Sequence, residues 1–120
     1  MAAVDGFRLV VAELDAAQRA LLASVPTSRD EGVPLKEALE DFVKGLARAE
    51  ALMPAWRTPK TEQIWLRCAE AIGQSRAEAE RLRDEAAATL GFETLNARLG
   101  DVIAPLEELA DAAPEIRQLR

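Results

Sequence analysis

Apolar residues recur at intervals of three and four through almost the whole chain, and the regular element with that period is the α-helix. Phe7, Val10, Leu14, Ala17 and Leu21 form a first stripe. Leu35, Leu39, Phe42, Leu46, Ala49 and Met53 form a second, spaced 4-3-4-3-4 like a coiled-coil seam. A third seam runs Trp65, Cys68, Ile72, Ser75, Ala79, Leu82, Ala86, Thr89, and a fourth runs Phe92, Leu95, Leu99, Val102, Leu106, Leu109. No stretch alternates with period two, and no internal repeat is visible. The pattern predicts an all-α fold, an antiparallel helical bundle of four main helices in a single domain covering 1–120.

Capping and breaking residues set the expected boundaries. Asp5 is suited to cap a helix over 5–22, because a carboxylate accepts from the free amides of a first turn. Ala23 to Val33 is polar and reads as a mobile loop. Pro34 opens a second helix, 34–53, which Pro54 ends. Thr58 as cap and Pro59 as first helical residue open a third, 59–90, closed by Gly91 in a left-handed cap. The fourth spans 92–112, with a kink at Pro105, whose ring brings no amide hydrogen to the carbonyl of Asp101. Pro114 then begins a last turn carrying Ile116 and Leu119.

These lengths are unequal. A helix over 59–90 would reach roughly 48 Å, against roughly 27–32 Å for its neighbours. It either bends at Gly73 or stays straight with its later half incompletely covered. The straight form leaves the small-residue seam of Ala79, Leu82 and Ala86 open to a second copy, and predicts a homodimer.

Composition narrows the function. The chain has no histidine and one cysteine, so it offers no Ser-His or Cys-His catalytic pair, no imidazole ligand, no internal disulfide and no thiolate zinc cluster. Carboxylates are plentiful but fall off the apolar seams, which argues against a bundle di-metal site. Catalytic residues, metal ligands and cofactors are therefore all expected to be none. A net charge of −6, from 15 basic and 21 acidic side chains, argues against nucleic acid and against anionic membrane surfaces as partners. No signal peptide or membrane-length apolar run is visible, so a cytoplasmic protein is expected. Cys68 lies on the third seam, where a thiol serves as a small apolar group.

The most unusual segment is Met53 to Thr61. Trp56, Arg57, Thr58, Lys60 and Thr61 gather before a helix N-terminus, where hydroxyls, cations and the helix dipole would favour an anion. A tryptophan beside an arginine also suits a protein contact. The plainer alternative is structural, with Trp56 closing the bundle end and Thr58 capping the helix. The function expected is a non-enzymatic helical protein-interaction module, adaptor-like and self-associating. The alternative is a bundle that holds a small apolar or anionic ligand near the Trp56-Arg57 corner. An enzyme working with carboxylates and arginine alone ranks below both.

Overall fold

The computed structural model describes residues 3–31, 35–85 and 92–118, and among them every regular element is helical. The elements are α1 (Ala3–Glu31), α2 (Leu35–Leu52), α3 (Glu62–Asp84), α4 (Phe92–Ile103) and α5 (Glu107–Gln118). Two short 3₁₀ turns interrupt the series, Met53–Trp56 after α2 and Ala104–Leu106 between α4 and α5. The α4–α5 pair is the fourth main helix, broken at Pro105.

The apolar stripes converge on one core. Val10, Leu14 and Leu21 of α1 are buried with Leu39, Phe42 and Leu46 of α2. Cys68, Ile72 and Leu82 of α3 meet Leu99, Val102, Leu106 and Leu109 there. Contacts between successive helices run in opposite chain order. Gly6 approaches Trp56 and Ala17 approaches Gly45, with Glu13 paired to Arg48 between them. Arg98 of α4 likewise pairs with Glu85, Ser75 bonds Val102, and Arg67 reaches Glu108 and Glu115 of α5. The bundle measures 49 × 20 × 19 Å.

Several boundaries differ from the sequence expectation. The stretch read as a loop over 23–33 is helical through Glu31, so α1 has 29 residues. Ser24 returns its hydroxyl to the carbonyl of Ala20 at 2.8 Å, and the helix runs on through Pro26. A polar sequence can hold helical geometry without an apolar stripe, and apolar periodicity then gives no sign of it. The same helix begins at Ala3, which puts Asp5 in its first turn. Pro114 lies inside α5 and does not restart the chain, because Ala112 and Ile116 on either side of it are buried in the core. Residues 32–34 and 86–91, and with them the expected roles of Pro34, Ala86 and Gly91, lie outside the described residues.

The long-helix argument also changes. α3 has 23 residues where 32 were expected, so it reaches only ~35 Å. Its later half is covered on both flanks, by α2 through Glu50 and Arg76 and by α4 through Glu85 and Arg98. Ala79 and Leu82 are consequently 0% exposed within one chain. The seam expected to carry self-association is part of the core. Helical geometry continues through Gly73 without interruption.

Candidate functional site

The structure does bring the expected corner residues together, around two hydroxyls. Thr58 Oγ1 accepts the amide of Thr61 at 3.2 Å, and Thr61 Oγ1 accepts the amide of Thr58 at 2.9 Å. This is the reciprocal logic of a capping box. Thr58 therefore caps the turn over residues 59–61, and α3 proper starts three residues later than expected. Thr61 Oγ1 also donates to the carbonyl of Trp56 at 2.8 Å, which ties the turn to the 3₁₀ segment before it.

The two tryptophans divide the work. Trp56 is fully buried, with its ring at 78° to that of Phe7 and 5.2 Å away. Its indole nitrogen finds no acceptor among the described residues. Gly6 makes room for it, since a Cβ there would stand 3.1 Å from that of Trp56. Trp65, expected in the core, is only half-buried. Its indole N–H donates to the Met53 carbonyl at 2.8 Å, and the Arg57 guanidinium lies over its ring at 4.1 Å. A cation stacked on indole keeps one aromatic face at the surface.

Arg57 is also held by Glu62 through two hydrogen bonds of 2.9 and 2.7 Å. These bonds raise the guanidinium pKa and lower that of the carboxyl. The donors that would attract an anion are thus used within the corner. Arg57 is neutralised by Glu62, the two hydroxyls serve the turn, and Thr61 is 1% exposed. Trp56, Arg57, Thr58 and Thr61 form a structural joint between α2 and α3, with Lys60 exposed beside it.

Open depressions occur elsewhere, along α3 opposite the α4–α5 break. One holds about 460 Å³ and is lined by Arg67, Glu70, Ala71 and Gln74 from α3 and by Glu107, Glu108 and Asp111 from α5. The other holds about 980 Å³ and runs on past Ala77, Glu78 and Arg81 towards Glu85 and Arg98. Both include Gln74, Ala104 and Pro105, so they adjoin as one groove over the break. Sequence reasoning identified Pro105 as an interruption. It had no signal for which face the interruption would open.

No protein-family model matches the chain, and neither a curated protein nor a solved structure resembles it significantly. Function must rest on the geometry.

The break is held from across the bundle. An α-helical Val102 carbonyl would accept the amide of Leu106, but a 3₁₀ turn bonds three residues back. Ser75, fully buried on α3, donates its hydroxyl to the Val102 carbonyl at 2.6 Å. Arg67 secures the far side, bonding Glu108 at 2.6 Å and Glu115 at 2.8 Å. These bonds hold the Arg67 pKa up and that of Glu115 down. Cys68 lies beneath, fully buried, and burial pushes its thiol up to about 12. A thiolate is the nucleophile in thiol chemistry, so this thiol is a packing group. Among the described residues no group of three or more Cys, Asp or Glu is placed to hold a metal, and no helix is long and apolar enough to cross a membrane.

Proposed function

We propose that the chain is a non-enzymatic helical protein-interaction module of the cytoplasm. One observation carries the reading: the described depressions are an open, polar-lined groove on the outside of a core filled by side chains. A small-molecule site favours an enclosed, mostly apolar cavity with a few convergent polar groups. A long open groove between helices suits a second polypeptide.

Self-association through Ala79 and Leu82 loses its basis, since both are covered within the chain. A heterologous protein partner fits better, and the acid excess argues against nucleic acid. The test places a photo-crosslinking residue at Gln74 in the groove and, separately, at the half-exposed Leu9 and Leu22 of α1. Discrete crosslinked protein species from living cells, at any of these faces, are expected. Crosslinks to no protein at any of the three sink the module reading. Sedimentation equilibrium at high micromolar concentration separates the two kinds of partner, and a monomer is expected.

A further inference from the structure

The groove's two ends differ in charge. Towards Glu85 two ion pairs, Arg81 with Glu78 and Arg98 with Glu85, leave Asp101 as one further carboxylate. Towards α5, four carboxylates face one guanidinium, and that guanidinium is already bound to Glu108 and Glu115. Among the described residues Glu70, Glu107 and Asp111 pair with no cation, on a chain of net charge −6. Pro105 at the centre brings no amide hydrogen to the carbonyl of Asp101, which adds an acceptor without its usual α-helical donor. The groove thus carries an excess of acceptors over donors. Its floor is small: Ala71, Ala77 and Ala104 are its apolar lining beside Pro105. Gly73, on the same stretch of α3, has nothing within 4 Å of where a Cβ would stand. Small residues let a backbone approach closely. From Arg67 to Glu85 the groove extends ~27 Å along α3, the length of about five helical turns.

We propose that this groove takes a basic amphipathic helix of a partner protein, its apolar face on the alanines and its lysines or arginines over Glu70, Glu107 and Asp111. The occupant follows from complementarity of charge and length: an acid-rimmed trough with an apolar floor needs a ligand that supplies cations, donors and a narrow apolar stripe. The proposal rests on the interaction-module reading and names its partner's chemistry.

The probe is a synthetic helical peptide of about 18 residues, matching the groove at 1.5 Å per residue, with lysine and arginine on one face and alanine and leucine on the other. A scrambled peptide of the same composition is the control, and binding is followed by fluorescence anisotropy against the full chain. Saturable one-to-one binding of the amphipathic peptide is expected, well above that of the scrambled one. E70Q/E107Q/D111N should weaken it about tenfold, as the loss of a few exposed charge pairs implies. E37Q/E40Q/D41N on α2, with the same change in net charge, should leave it unaltered. Ala77→Phe changes no charge but fills the floor, and should weaken binding comparably. All three variants change surface positions, and circular dichroism verifies their folds. Equal loss in both triple variants, equal binding of the scrambled peptide, or no binding overturns the proposal. If the peptide fails while crosslinks arise at Leu9 or Leu22, the groove assignment is wrong and the module reading stands. Failure of both removes the module reading as well.

Discussion

The corner at Met53–Thr61 and the break at Ala104–Leu106 solve one problem in two ways. Each is a proline-bearing 3₁₀ turn where helical hydrogen bonding is interrupted, and at each a hydroxyl supplies a donor to a main-chain carbonyl. At the corner the partners are close in sequence. Thr61 serves Trp56 five residues back and exchanges bonds with Thr58 three residues back. At the break the hydroxyl comes from Ser75, 27 residues away on another helix. The corner is a closed joint whose hydroxyls and Arg57 guanidinium are satisfied locally, the buried Trp56 indole N–H being the exception. The break depends on tertiary packing, and beside it the surface opens into a groove. A self-contained interruption reinforces the fold, whereas one held from outside leaves a surface for a partner.

The largest expected effect falls on the corner. Trp56→Ala removes the biggest fully buried side chain and should cost ~3–5 kcal/mol in a denaturant titration. Trp56→Phe should cost much less, because it keeps the ring against Phe7 and removes a buried N–H that lacks an acceptor. A full loss on replacement by phenylalanine would mean that the indole nitrogen has a partner in solution.

Next comes the break. Ser75→Ala strips the Val102 carbonyl of its donor in a dry site, with an expected loss of ~1–3 kcal/mol. Equal stability of that variant and the wild type would show that the carbonyl is satisfied another way. A third contrast sets the groove face against the packed face. A Cβ at Gly73 meets open space, so Gly73→Ala should raise stability by ~1 kcal/mol through helix propensity alone. At Gly45 the added Cβ would stand 2.7 Å from that of Ala17, and Gly45→Ala should destabilise. The same titration measures both signs.

The smallest expected effect concerns Arg67. Its bond to Glu115 holds that carboxyl below the usual glutamate range, with the folded group the stronger acid. The stabilisation is therefore present above pH ~4.5 and is lost as the pH falls through the folded value. Arg67→Gln should flatten the acid limb of the stability-against-pH curve below about pH 4.5, the ordinary glutamate range. The change should be slight and should shrink in high salt, because the pair is exposed to solvent.

This contrast also explains what could be read from the sequence. The seams of α1, α2 and the fourth helix bury at Val10, Leu14, Leu39, Phe42, Leu46, Leu99 and Leu106, as their spacing requires. Apolar period is a local property, and so is the Thr58 cap, whose partner is three residues away. The helical extension of α1 through the polar residues before Gly32 escaped, because periodicity is silent where no face is apolar. Trp65 escaped because an indole with one wet face occupies a seam position as well as a buried one does. The seam of Ala79 and Leu82 was read correctly as apolar, but its cover depends on where α2 lies, which no local pattern encodes. Ser75 was visible as a hydroxyl on an apolar seam. Its role depends on a carbonyl brought to it by tertiary structure, and the groove beside Pro105 escaped for the same reason.

Native-state hydrogen exchange on Ser75→Ala tests most directly the claim that the break is held from α3 while the corner holds itself. Amides from Leu106 to Leu109 should lose protection by more than the global stability change explains, while α1 and α2 fall only by that global amount. A uniform loss across all helices, or unchanged protection around Leu106, would contradict the distinction between the two interruptions.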